Sequence, residues 1–321
     1  MKASTIIATA ALAGAALLSS ASIMAKTAKV AVSQIVEHPA LDATRQGLLD
    51  GLKAKGYEEG KNLEFDFKTA QGNPAIAVQI ARQFVGEEPD VLVGIATPTA
   101  QALVSATRTI PVVFTAVTDP VGAKLVKTME QPGGNVTGLS DLSPVEQHVE
   151  LIKELMPNVK TIGVVYNPGE ANAMSLIQLL KASAKAHGIK LVEATALKSA
   201  DVQSATQSIV SKSDIIYALI DNTVASAIEG MIVTTNQANV PVFGAATSYV
   251  ERGAVASLGF DYYQIGLQTA DYVVAILEGK APGSLDVKVA KGSDLVLNKT
   301  AADKIGFTIP QSVIDRATSV K

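Results

Sequence analysis

Four apolar segments of the chain each end at a polar residue followed by proline: His38-Pro39, Thr97-Pro98, Asp119-Pro120 and Asn167-Pro168. A fifth ends at Asp221-Asn222-Thr223. Proline fits the first position of a helix, and Thr, Asp and Asn cap the position before it, so each junction reads as a strand giving way to a helix. Helix starts leave backbone N–H groups unpaired and carry a partial positive charge, which suits a carboxylate. Hydroxyls at Thr97, Thr99, Thr115 and Thr118 add donors. Near the same edges stand Glu37, Asp119, Glu170 and Asp221, four carboxylates with no arginine among them, and such a ring suits an ammonium group. For any one of these residues alone, helix capping is the plainer reading. Together they favour a zwitterion such as an amino acid, with Asp119 and Asp221 as the leading ammonium ligands. The five arginines (Arg45, Arg82, Arg108, Arg252, Arg316) avoid the junctions, which argues against phosphate or dicarboxylate ligands that call for a guanidinium fork.

Other chemistries find little support. Glu37-His38 could form an acid/base pair, but no nucleophile motif or metal-spaced partner accompanies it, so His38 reads as a positioned polar residue and not a catalyst. The chain has no Cys and three widely spaced His (His38, His148, His187), which removes disulfides, iron–sulfur clusters, thiol catalysis and Cys/His zinc sites. Gly133-Gly134 is not followed by a phosphate-loop lysine, and Gly138 completes no dinucleotide fingerprint. Lys+Arg total 27 against 30 Asp+Glu, a formal charge of −3 with no long basic block, so no nucleic-acid partner is expected. No enzyme activity and no cofactor are expected either. Tyr166, Tyr249, Phe260, Tyr262 and Tyr263 could wall an apolar ligand side chain; Tyr249 and Phe260 are the candidates carried forward, although most aromatic residues serve a core.

The elements that must position these groups follow from periodicity. Apolar runs of buried-strand length recur at 30–36, 91–96, 110–117, 162–166, 189–194, 215–220, 240–245 and 254–260, while 63–67 alternates like an edge strand. Helical spacing fills the gaps, as at Leu41, Leu48 and Leu52 or Ile76, Ile80 and Phe84. The class is therefore α/β with parallel sheets covered on both faces. Residues 29–114 and 161–243 share one plan down to the strand openings Ile110-Pro111 and Val240-Pro241, an internal duplication. A helix from Asp261 to Gly279 and short strands at 287–289 and 295–297 follow both repeats and have to pack back on them. The chain thus divides into a first lobe of residues 28–141 plus 260–283 and a second of 142–259 plus 284–321, with several crossings forming a hinge. Ahead of both, residues 1–25 have the charged start, apolar stretch and small residues of a cleaved signal peptide, and no Cys is present for a lipoprotein anchor. A free, monomeric protein of the periplasm is the expectation.

The segments Gln34-Ile35-Val36-Glu37-His38-Pro39-Ala40-Leu41-Asp42, Thr115-Ala116-Val117-Thr118-Asp119-Pro120-Val121-Gly122-Ala123, Pro132-Gly133-Gly134-Asn135-Val136-Thr137-Gly138, Tyr166-Asn167-Pro168-Gly169-Glu170-Ala171-Asn172, Asp221-Asn222-Thr223-Val224-Ala225-Ser226 and Glu251-Arg252-Gly253-Ala254 resemble the signature segments of the tryptophan/tyrosine-type family of ABC-transporter substrate-binding proteins. The resemblance spans essentially all of the chain after residue 25. It implies a type I periplasmic-binding fold, two Rossmann-like lobes joined by a crossover hinge, that closes on a small ligand and delivers it to a membrane permease powered by a separate ATPase. A periplasmic sensor feeding a signalling partner is the alternative within the same fold. The family motifs carry onto Gln34, Glu37, His38, Thr118, Asp119, Asn167, Glu170, Asn172, Asp221 and Asn222; Thr97, Thr247, Tyr249 and Phe260 complete the candidate ligand-binding set. An aromatic amino acid is what the family suggests for the ligand; where relatives often place an Asp, this chain reads Ala245-Ala246-Thr247-Ser248-Tyr249, a lost carboxylate and a gained Tyr249 that can change the ligand from that suggestion.

Overall fold

The computed structural model describes residues 27–321, and the signal-peptide expectation lies outside them. Two sheets organise the chain. The first contains β1 (Ala28–Gln34), β2 (Leu63–Thr69), β3 (Val91–Ile95), β4 (Val112–Val117) and β5 (Val136–Ser140), with a late strand β11 (Lys288–Val289), in the order β11-β5-β4-β3-β1-β2. The second contains β6 (Thr161–Tyr166), β7 (Lys190–Thr195), β8 (Ile215–Ala218), β9 (Val242–Gly244) and β10 (Ala256–Gly259), then β12 (Asp294–Leu297) and β13 (Ser319–Val320), in the order β13-β12-β10-β9-β8-β6-β7. Strands β6 to β10 repeat the order of β1 to β5, as the duplicated sequence plan requires. Every pairing is parallel except β10 with β12.

The helices α1 (Pro39–Ala54), α2 (Pro74–Gly86) and α3 (Thr97–Ala106) belong to the first repeat. In the second lie α4 (Val145–Leu155), α5 (Ala171–Ala186), α6 (Val202–Val210), α7 (Asn222–Ala225), α8 (Ile228–Gln237) and α9 (Ser248–Glu251). Of the four polar-residue–proline junctions, His38-Pro39 and Thr97-Pro98 open α1 and α3, where proline's missing N–H costs nothing; Asp119-Pro120 opens a turn and no helix, and Asn167-Pro168 lies in a turn ahead of α5, which starts at Ala171 behind Glu170. Beyond the second repeat, α10 (Tyr262–Leu277) returns to the first lobe and packs along α1. Glycine makes that approach possible: a Cβ on Gly266 would sit 2.2 Å from the Thr44 carbonyl oxygen, and one on Gly47 would sit 2.1 Å from that of Tyr263.

The boundary expected at residue 283 moves. Lys288 and Val289 pair with Leu139 and Ser140 of the first sheet. Thr137 Oγ1 donates to the Leu285 carbonyl, Val287 N to that of Met129, and Ala290 N to that of Ser140. These bonds hold the chain on the first lobe to residue 290, so the last crossing falls at 291–293. The 189–194 run also differs from its expectation of a buried strand. As β7 it is the outer edge, with Lys190 and Thr195 exposed, because it pairs only with β6.

Chain crossings follow β5, β10 and β11, and the carboxyl ends of both sheets meet at the cleft between the lobes. One irregularity serves the cleft. The β4–β5 register shifts between Phe114 and Val117, and Ala116 adopts φ 52°, a left-handed conformation costly for a residue with a Cβ. Opposite the shift, Gly138 has φ 157° and faces the Phe114 carbonyl where a Cβ would lie 2.1 Å away. Bulges of this kind re-aim a strand next to a site.

Candidate ligand-binding site

Between the lobes lies an enclosed pocket. From the first lobe come His38 and Leu41 at the start of α1, Ala116 and Thr118 at the end of β4, and Asp141 directly after β5. From the second come Asn172 on α5, Ile220, Asp221 and Asn222 between β8 and α7, and Ala246 and Tyr249 around α9; Tyr262 opens α10 beside them. The walls leave about 10 Å³ of free volume, room for one water molecule. An amino acid therefore enters only if the lobes separate. An open groove of about 580 Å³ lies outside this pocket, between Pro98 and Gln101 of the first lobe and Asn167, Glu170 and Leu197 of the second. The smaller space is the better candidate for a binding site, because buried polar atoms on its walls lack partners. His38 Nε2 and Asn172 Oδ1 are both buried without a hydrogen bond, a condition proteins avoid unless another group completes it.

The carboxylates divide by what they hold. Asp221 Oδ1 accepts from Val224 N at 2.9 Å, and Oδ2 accepts from Asn167 N at 2.6 Å. It thus caps α7 and pins the β6–α5 loop. Burial, then the negative charge of Glu170, pushes its pKa well above the usual carboxylate range. Glu170 is more heavily engaged. Its Oε1 accepts from Thr223 N and Oγ1, and its Oε2 accepts from Asn222 N, Asn222 Nδ2 and Asn172 Nδ2. Asp119 lies outside the pocket, where Oδ1 accepts from Gly122 N at 2.8 Å and Oδ2 from Ser175 Oγ of the opposite lobe at 2.9 Å. Asp141 is different. It lines the pocket, is fully buried, and is met only by hydroxyls and its own chain: Thr118 Oγ1 donates to Oδ1 at 3.1 Å and Tyr262 OH to Oδ2 at 2.7 Å. Burial raises its pKa.

His38 occupies the N-cap position of α1, and its side chain caps nothing. Burial lowers its pKa to about 4, so the ring is neutral near pH 7. The first intrahelical donor of α1 is Asp42 N. The N–H groups of Ala40 and Leu41 stand before it as orphan donors on the pocket wall.

Of the sequence candidates, His38, Thr118, Asn172, Asp221, Asn222 and Tyr249 come together around the pocket. Gln34 and Thr97 are buried at the ends of β1 and β3 and do not line it. Gln34 Nε2 donates to the Val36 carbonyl and to Asp42, leaving Oε1 unpaired, and Thr97 Oγ1 is also unpaired. Glu37 is exposed. Asn167 donates through Nδ2 to Thr223 Oγ1 and lines the outer groove with Glu170. Thr247 lies at a separate opening beside Pro39 and donates to the Phe260 carbonyl. Phe260 belongs to the core. Tyr249 OH donates to the Leu219 carbonyl at 3.2 Å, which fixes its ring as a wall. Sequence reasoning did not single out Asp141, which lines the pocket. The available signal was its position: it ends the Val136–Ser140 strand, the same carboxyl edge that nominated the other junctions.

The chain matches, over residues 29–321, the model of a family described as ABC transporter substrate binding protein. A tyrosine-binding protein of Clostridioides difficile (strain R20291) is 37% identical over 274 residues, 85% of this chain and 79% of that protein. A crystal structure of a conserved domain protein from Vibrio cholerae O1 biovar El Tor is 87% identical, with TM-score 0.92 over 92% of this chain and 100% of that one. The ABC domain of a Streptococcus pneumoniae protein in complex with L-Trp is 39% identical, with TM-score 0.89 over 92% of this chain and all of that one. The two-lobed α/β fold is that of type I periplasmic binding proteins. By these likenesses, which run through both sheets and the pocket between them, the chain belongs to the family of ABC transporter substrate-binding proteins.

Proposed function

We propose that this protein is the exported, periplasmic binding component of an ABC importer, taking an aromatic amino acid, tyrosine or tryptophan, into the inter-lobe pocket and presenting it to a membrane permease driven by a separate ATPase. The observation that carries the reading is the pocket itself: groups from both lobes, including the unpaired His38 Nε2 and Asn172 Oδ1, converge on one enclosed space. The relatives that bind tyrosine and L-Trp support the ligand class. Tyr249 and Tyr262 supply aromatic surface suited to a ring. Carboxylate recognition falls to the orphan N–H groups at the start of α1, a 16-residue helix, with His38 beside them. Closure follows from the placement of these groups, since a ligand touching both walls favours the state in which both are near.

Thermal-shift and calorimetric titration against tyrosine, tryptophan, branched amino acids, polyamines and sugars tests the proposal. A ligand at a hundredfold excess over Kd adds about 2.7 kcal/mol to stability. Shifts confined to aromatic amino acids are expected. Silence with every amino acid, together with a shift from a sugar or polyamine, would overturn it.

A further inference from the structure

We infer that Asp141, with Asn172 Oδ1 on the wall of the same pocket, is the seat of the ligand's ammonium group, and that the more conspicuous Asp119 and Asp221 are not. The inference rests on the amino-acid reading above and adds which end of the ligand lies where. Each carboxylate oxygen can accept about two hydrogen bonds. Asp221 meets a backbone N–H on each oxygen, donors that cannot turn away and that commit its carboxylate to α7 and the β6–α5 loop. Asp119 does not line the pocket. Asp141 also receives one donor per oxygen, but both are hydroxyls, which can rotate to make room for a ligand's N–H groups. No lysine or arginine lines the pocket with it. A buried carboxylate without a counter-charge is costly, and a cation placed against it recovers that cost. Asn172 supplies the second acceptor: its Nδ2 is held by Glu170 and the Ile220 carbonyl, and its Oδ1 is buried and unpaired.

The position of Asp141 also explains how ammonium binding could be felt by the hinge. Asp141 ends the strand from which the chain first crosses to the second lobe, and Tyr262 begins the helix after it crosses back. Their 2.7 Å hydrogen bond joins the two crossovers. A charge delivered to Asp141 is therefore delivered to the segment about which the lobes turn, while Asn172 brings in the second lobe from α5.

The test compares L-tyrosine and L-tryptophan with their deaminated analogues, 3-(4-hydroxyphenyl)propionate and indole-3-propionate, and with tyramine and tryptamine. Binding is measured by calorimetry on the full mature protein. The parent should prefer the amino acids to the deaminated acids. In Asp141→Asn that preference should shrink about 10- to 100-fold, the scale of a charge-assisted hydrogen bond, with the deaminated acids bound as well as before or better. Asp119→Asn and Asp221→Asn alter amino acid and deaminated acid alike, leaving the ratio unchanged. Undiminished preference in Asp141→Asn, or loss of preference in Asp221→Asn, overturns the assignment while leaving the binding reading intact. A parent that binds no ammonium-bearing compound in the panel overturns the reading itself. Circular dichroism and melting establish that the variants fold; should Asp141→Asn not fold, Asn172→Ala carries the same comparison, with a preference reduced about tenfold as expected and an unchanged one counting against the assignment.

Discussion

A residue's partners decide what its charge can do. Asp221 caps a helix and also binds a second backbone N–H across 54 positions of sequence. Asn at this position would turn an NH2 toward one of those two donors, so Asp221→Asn is expected to cost about 1 to 3 kcal/mol, read from urea unfolding; an unchanged midpoint would show that capping alone is at work. His148 gives a residue-level pH effect. Its ring packs against the stacked pair of Tyr217 and Phe243, with Nδ1 2.8 Å from Tyr217 OH, and burial lowers its pKa to about 4. An unfolded chain takes up that proton near pH 6.5. Between those values the unfolded state binds more protons, so the contribution of His148 to stability is lost as pH falls from about 6.5 toward 4. Compared with His148→Gln, the parent should lose about 3 kcal/mol more between pH 7 and pH 4. Parallel pH profiles for the two proteins would refute this. Residue types at strand ends were legible from sequence because Pro and cap residues mark them. Their partners were not, since Glu170 and Asp221 meet groups some 50 positions away, and only the folded loops bring them together.

At the scale of elements, periodicity located most strands of both sheets and the duplicated order, because buried parallel strands are short unbroken apolar runs; it missed β5, whose run Thr137 and Gly138 interrupt. It failed where burial and apolarity part company. β7 is apolar enough to read as central, and the short strand expected at 287–289 forms as β11 but on the first sheet and not the second. The α1–α10 contact was equally hidden, although its glycines stand in the sequence. Gly266→Ala should push these helices apart, since the new methyl would meet backbone and not a movable side chain. Loss of about 3 kcal/mol is expected, at the upper end for an overpacked core, in equilibrium unfolding. A variant as stable as the parent would mean that the helices can slide without cost.

Across the whole molecule, the lobes touch through more than the pocket. Ser175 Oγ on α5 donates to Asp119 Oδ2 of the first lobe, and the Asp119 carboxylate is braced by Gly122 N. This bond exists only while the cleft is shut, so it favours closure without touching a ligand. Ser175→Ala should weaken binding of the cognate ligand about two- to tenfold, the value of one hydrogen bond, mainly through faster dissociation in stopped-flow measurements. Equal dissociation rates would show that the contact does not hold the closed state. The return of α10 and β11 to the first lobe has a further consequence, one of timing. The glycine-marked face of α1 is covered by residues that lie more than 200 positions downstream, and closing so long a loop is slow compared with forming local structure. A nascent chain therefore cannot finish its first lobe until the strands of the second, β6 to β10, have been made and the chain has returned through α10 to β11, so the apolar face of α1 waits uncovered through most of synthesis.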